Sequence, residues 1–184
     1  MITAYTDGGA RGNPGPAGYG VHILDADGNT LAELVGPLGH ATNNVAEYSG
    51  LIAALQWARD HGHTRVRVRM DSELVIKQMR GEYKVKHAGL QVLHAEARRL
   101  VASLDRVTFE HVRRAQNTVA DGLSNQAMDI AEGKPPAAPP SEVTVLPEAA
   151  PLAPRAISIP RPPKPEFAGK AARPSAPRFD FDLE

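Results

Sequence analysis

Four carboxylates stand where strands and helices could gather them. Asp7 follows the β-prone run Ile2–Thr6, and Asp71 follows the alternating run Arg65–Met70, so each ends a strand and opens a turn. Ligand and catalytic sites of open α/β sheets collect at such carboxyl ends, and parallel neighbouring strands would bring the two side chains together. Glu47 shares a helical stripe with Leu51, Ala54 and Ala58 rather than with the polar face, and a charge there needs a partner. It reads either as the N3 member of a capping box with Asn44 or as a third acid of a cluster. Asp121 falls early in a last helix, where a carboxylate also suits the positive end of the macrodipole. As a set, four acids on elements able to converge, none with a Lys or Arg beside it in the chain, suit hard divalent cations held through oxygen. The chain has no Cys, which excludes thiolate zinc, a Cys nucleophile and a disulfide framework.

Periodicity supplies the elements that must position these residues. Ile2–Thr6, Tyr19–Leu24 and Thr30–Val35 read as an antiparallel meander, with Asp27-Gly28 marking its second turn. Between the first two strands lies a Gly- and Pro-rich loop from Gly8 to Gly18. It lacks the closing Gly-Lys-Ser/Thr of a nucleotide phosphate loop, and its glycines permit tight turns and close backbone approach. A helix capped by Asn43 or Asn44 runs to about Asp60, with Tyr48, Leu51, Ile52 and Leu55 at helical spacing. The period of two in Arg65–Met70 predicts a strand with one apolar face and one Arg face. Ser72 caps a helix that begins at Glu73, a longer helix spans about Leu90–Leu104, a strand Val107–Val112 and a last helix Thr118–Ile130. The expected fold class is α/β, a five-stranded mixed sheet with three antiparallel strands and then two parallel ones, flanked by helices.

Lys+Arg and Asp+Glu number 21 each in 184 residues, which excludes binding driven by bulk positive charge. Thirteen of the 16 Pro lie between Pro135 and Pro177, so composition divides the chain into a folding unit, 1–131, and a Pro-rich tail, 132–184, expected to be mostly disordered. In the tail six basic residues from Arg155 to Arg178 face only Glu166, and Phe179-Asp180-Phe181-Asp182-Leu183-Glu184 alternates apolar and acidic residues. The tail reads as a solvated spacer, as an arm adding nucleic-acid contacts, or as the docking site of a protein partner. No apolar run approaches the roughly 18 residues of a membrane span, and the first residues lack the pattern of a secretory signal. A soluble, cytoplasmic monomer without membrane contact is expected.

The segments Tyr5-Thr6-Asp7-Gly8-Gly9, Gly12-Asn13-Pro14-Gly15-Pro16-Ala17-Gly18-Tyr19-Gly20, Thr42-Asn43-Asn44-Val45-Ala46-Glu47 and Met70-Asp71-Ser72 together resemble the ribonuclease HI family, over about residues 1 to 130. The resemblance implies a ribonuclease H-like fold and an endonuclease that cuts the RNA strand of an RNA–DNA hybrid, leaving 5′-phosphomonoesters. It implies Asp7, Glu47, Asp71 and Asp121 as catalytic ligands of two Mg²⁺ ions, with Mn²⁺ as a substitute. It also implies hybrid contacts from Asn13, Thr42, Asn43 and Asn44. Two such ions roughly 3.5 to 4 Å apart activate a water and stabilise the leaving oxygen of one in-line displacement. Neutral Asn and Thr side chains suit a wide minor groove that displays 2′-hydroxyls. The alternative is a non-catalytic hybrid-binding or scaffold module that recruits partners through the tail.

Three departures from the family pattern stand out. The basic, Trp-containing protrusion of well-studied relatives is replaced by the short stretch Met79–His87. Those relatives place a His before the last carboxylate, whereas this chain has Arg113-Arg114-Ala115-Gln116-Asn117. The shorter loop is similar to an archaeal and partly bacterial branch, which implies an assisting catalytic role for Arg114. Glu73 stands where many relatives have a hybrid-contacting Gln. His111 reads as an ordinary strand residue, His61-Gly62-His63 as a helix-ending turn, and Trp57 as core packing rather than a base-stacking platform. Arg65, Arg67 and Arg69 form either a solvated face or one that tracks a phosphate backbone.

Overall fold

The structure, a computed structural model, describes residues 1–135. The expectations for the tail fall on residues 136–184 and lie outside the described residues. Strands β1 (Ile2–Ala10), β2 (Gly15–Leu24) and β3 (Thr30–Ala41) are followed by α1 (Asn43–Asp60), β4 (Arg65–Met70), α2 (Glu73–Met79), α3 (Ala88–Ala102), β5 (Arg106–His111) and α4 (Thr118–Ala131). The sheet order is β3-β2-β1-β4-β5, antiparallel from β1 to β3 and parallel from β1 through β4 to β5. This is the expected mixed sheet. Among the described residues no helix is long and apolar enough to cross a membrane.

The glycine-rich segment is strand rather than loop. β1 continues to Ala10 and β2 begins at Gly15, pairing Gly8 with Tyr19 and Gly9 with Gly18, so only Arg11–Pro14 turn. The reason is packing from both faces of the sheet. A Cβ on Gly8 would stand 2.3 Å from the Ala46 carbonyl carbon of α1, and one on Gly20 would stand 2.4 Å from the Ala120 carbonyl oxygen of α4. Glycine here lets two helix backbones approach a strand that still makes its ladder bonds. β3 likewise runs beyond Val35 through Pro37, which an edge strand tolerates.

Helix α1 is capped by Thr42, whose side-chain oxygen accepts from the Val45 backbone N–H at 3.4 Å, not by Asn43 or Asn44. That removes the capping-box reading of Glu47. Tyr48, Leu51 and Leu55 are completely buried because α1 lies between the sheet and α3, so it is apolar on two sides. Burying one such leucine contributes roughly 1.5–3 kcal/mol. Tyr48 Oη donates to Gln78 Oε1 at 2.7 Å, tying α1 to α2 inside the core. Trp57 is core, as expected, and the rings of His61 and His63 stack on it at 4.1 and 5.5 Å between centroids. Those histidines therefore close the helix end against Trp57.

On the other face of the sheet α4 packs over β2, β3 and part of β1. The period of two in β4 holds: Val66, Val68 and Met70 are fully buried, and the arginines point to the opposite face. Arg67 Nε and Arg69 Nε pair with Glu110 of β5 at 3.1 and 2.9 Å.

Candidate active site

Asp7 does not end its strand as expected, because β1 stays paired with β2 to Ala10. It lies just past the last β1–β4 pair, Thr6 with Met70, and there it meets Asp71 after β4 and the first turns of α1 in one polar cleft. One carboxylate oxygen each from Asp7, Glu47 and Asp71 lie within 4.8 Å of one another. Asp7 is 5% exposed and Glu47 6%, so water screens this repulsion poorly. Burial first, then the charges of Asp71 and Asp121, push Asp7 up to about 6, although the Ser124 hydroxyl pulls the other way by donating to its Oδ2. Glu47 is raised well above the usual carboxylate range, by burial and then by Asp7 and Asp71.

Asp121 stands beside this trio rather than in it. The Arg114 guanidinium pairs with Asp121 Oδ1, with Nε at 2.8 Å, and Asn125 Nδ2 donates to the Asp121 backbone carbonyl at 2.8 Å. Ser124 joins the two acids, with its Oγ against Asp7 Oδ2 and 2.9 Å from the Asp121 carbonyl oxygen. Arg114 lines the cleft with Asp7, Glu47 and Asp71, and its side chain is 73% exposed.

The donor set fits a divalent cation. Glu47 Oε2 and Asp71 Oδ1 are buried without a hydrogen-bond partner, which costs free energy unless a cation satisfies them. All the oxygen donors are hard and anionic, the type that holds Mg²⁺.

Asn13 Oδ1 accepts from the Asn43 backbone N–H at 3.2 Å, so the β1–β2 turn is pinned to the start of α1. Asn13 and Asn43 are exposed, while Thr42 and Asn44 are half-buried beside them. Glu73 is exposed and pairs with Lys77 at 2.7 Å, which offsets its charge.

Three positioning contacts escaped the sequence reading. Asn117, 1% exposed, donates from Nδ2 to the Thr6 carbonyl at 2.9 Å and fixes the start of α4 against β1. Arg11 pairs with Asp129 and Glu132 at 2.7 and 2.6 Å and ties the β1–β2 turn to the end of α4. Ser124 and Asn125 lie three and four residues beyond Asp121, the helical spacing that could have marked them.

The fold and cleft define a class of sheet-borne acidic sites, and comparison with known proteins assigns the family. Residues 5–127 match the family described as reverse transcriptase-like, and the chain belongs to it. Within it, the chain is a member of the ribonuclease HI family: it is 44% identical over 130 residues to ribonuclease HI of Halobacterium salinarum, covering 71% of this chain and 65% of that protein. It is 52% identical over 131 residues to a bifunctional protein of Mycobacterium tuberculosis, covering 71% of this chain but only 36% of the relative. The chain thus matches about a third of that longer protein. Among solved structures, LC11-RNase H1 in complex with an RNA/DNA hybrid superposes with a TM-score of 0.68 at 47% identity, over 72% of this chain and 99% of the other.

Proposed function

We propose that this protein is a metal-dependent endonuclease that hydrolyses the RNA strand of RNA–DNA hybrids. The observation that carries the reading is the trio Asp7, Glu47 and Asp71, gathered where the β1–β4 pairing ends, with Asp7 and Glu47 buried and one oxygen each of Glu47 and Asp71 orphaned. The hybrid bound to a structural neighbour at 47% identity supports the substrate class. Asp7, Glu47 and Asp71, with Asp121 beside them, would hold two Mg²⁺ or Mn²⁺ ions. Bound there, the metal supplies water activation and charge stabilisation of the leaving oxygen.

The chain's own residues do the rest. Ser124 keeps one Asp7 oxygen occupied, which directs the other toward the cluster. Asn117 holds the start of α4, and therefore Asp121, against β1, while Asn125 bonds the Asp121 backbone carbonyl within the helix. Arg114 presents a permanent positive charge at the mouth of the cleft, where the phosphate being attacked gathers negative charge. Asn13, Thr42, Asn43 and Asn44 form a neutral hydrogen-bonding rim for the minor groove, where a 2′-hydroxyl distinguishes RNA from DNA. Water adds at phosphorus as the bond to the 3′ oxygen breaks, leaving a 3′-hydroxyl and a 5′-phosphate. A gel assay with labelled hybrid, duplex RNA and duplex DNA, with and without Mg²⁺, tests the reading. Cleavage confined to hybrid RNA and dependent on the ion is expected, and an intact hybrid in Mg²⁺ or Mn²⁺ would overturn it.

A further inference from the structure

The arginines of β4 lie on the sheet face that α4 leaves open, and none of them lines the carboxylate cleft, although Asp71 continues their alternation at its edge. Arg106 of β5 stands directly across from Arg65 in register, and both are exposed. Like charges placed opposite each other on a sheet are destabilising. Among the described residues neither of these two guanidiniums pairs with a carboxylate, while Arg67 and Arg69 share the single acid Glu110. Four guanidiniums against one carboxylate is a sorting of charge, because residues 1–131 carry 14 basic and 14 acidic side chains.

Aromatic rings adjoin this stripe. Arg69 Nη1 donates to Tyr5 Oη at 2.7 Å with its guanidinium 5.5 Å from the Tyr5 ring centroid, and the His22 ring is 6.4 Å further on. Glu33, paired with His22 in the β2–β3 register, is the acid at that margin. Alternate residues on a strand repeat at about 6.6 Å, so Arg65, Arg67 and Arg69 form an evenly stepped row of charge along one line. Guanidiniums beside aromatic rings are the combination that holds an unpaired nucleic-acid strand, with phosphates on the arginines and bases on the rings. Tyr5 and His22 are half-buried, with part of each still open to solvent. An acidic polypeptide would satisfy the arginines but leave Tyr5 and His22 unused.

We propose that the open face of β1, β4 and β5 is a second nucleic-acid surface, which binds a single-stranded segment along Arg65, Arg67, Arg69 and Arg106 beside Tyr5 and His22. None of these residues lines the hydrolytic cleft, and the binding does not depend on cleavage. The test is fluorescence anisotropy of the full chain with a short labelled oligouridylate in EDTA, over a series of salt concentrations. Relative to the unmodified protein, the exposed double substitution Arg65→Ala with Arg106→Ala should weaken binding by about fivefold at low salt. It should also make the dependence of log affinity on log salt shallower by about 1.4, two phosphates at roughly 0.7 each. The thermal midpoint should not fall, because the substitution removes a like-charge pair, and cleavage of a blunt hybrid in Mg²⁺ should stay unchanged. Unaltered affinity and slope would overturn the proposal, as would polyglutamate binding with the same arginine dependence and displacing the oligonucleotide. A parallel loss of blunt-hybrid cleavage would overturn it too, by making the face part of the hydrolytic site. An unmodified protein that binds as expected but cleaves no hybrid would defeat only the hydrolytic reading.

Discussion

β4 ends in two opposite concentrations of charge. At its carboxyl end Asp71 joins Asp7 and Glu47, while at its amino end Arg65 faces Arg106 in solvent. Like charges gather at both ends, and the consequences differ. Exposed guanidiniums are relieved by water and salt, whereas crowded, poorly solvated carboxylates shift their protonation and wait for a counter-ion. Strand register alone builds the basic end. The acidic end requires tertiary packing: Gly8 to admit α1, Gly20 to admit α4, Asn117 to anchor α4 and Ser124 to hold Asp7.

The largest expected effect is at the acidic end. Asp71→Asn removes one anionic ligand while preserving shape, and turnover of hybrid in Mg²⁺ should fall by about 10²–10³-fold, the range seen when one charge-stabilising group is lost. Circular dichroism should show the fold unchanged. Retention of more than about a tenth of the activity would break the assignment of this end as the site of hydrolysis.

Next comes the stability of the metal-free protein against pH. The folded-state value of Asp7, about 6, lies above the usual 3.8, so its neutral form is favoured by folding. Stability from this group is fully present below about pH 4 and is lost as pH rises through 6, by at most about 3 kcal/mol for a shift of this size. Glu47 acts in the same direction. Urea unfolding in EDTA between pH 4.5 and 7.5 should therefore show Asp7→Asn gaining on the unmodified protein as pH rises, and Mg²⁺ should reverse the order. A constant difference across the range would show that Asp7 is not crowded as the structure has it.

Arg114→Ala should lower turnover by roughly tenfold and change the Michaelis constant little, because the guanidinium acts on charge that develops during the reaction. Its contribution should show no titration near pH 6–7, since Arg stays charged there. Arg113→Ala should stay within about twofold, the ordinary range for an exposed side chain away from the reacting groups. The reverse ranking would move the role to the neighbouring residue.

How much could be read in the sequence follows the same division. The alternation of Arg65–Met70 determined its strand and both faces, since period two is a local property. Three of the four motifs located Asp7, Glu47 and Asp71 before their geometry was known, and Asp121 was marked by its place early in the last helix. The segment Gly8–Gly18 was misread as loop because glycine is a weak strand former, and only the two helices on its faces explain why it is there. Thr42 displaced the two asparagines as cap for a similar reason: all three can cap, and tertiary contact chose, with the backbone N–H of Asn43, the first helical residue, already satisfied by Asn13 Oδ1. Ser124 and Asn117 carry no chemistry of their own, so their importance became visible only when α4 met β1.

The smallest expected effect belongs to the basic end. Glu110 holds Arg67 and Arg69 at 3.1 and 2.9 Å, but its side chain is 41% exposed, and exposed ion pairs contribute only about 0–1 kcal/mol each. Glu110→Gln should therefore lower the thermal midpoint by little. The substitution also frees two guanidiniums and removes the only acid paired with the stripe among the described residues, so oligouridylate affinity should rise by about two- to threefold and its salt dependence steepen. Hybrid cleavage should not change, because Glu110 does not line the carboxylate cleft. A fall in affinity would instead mean that Glu110 orders the arginines for the strand they bind, in which case the exposed end, like the buried one, depends on a positioning residue.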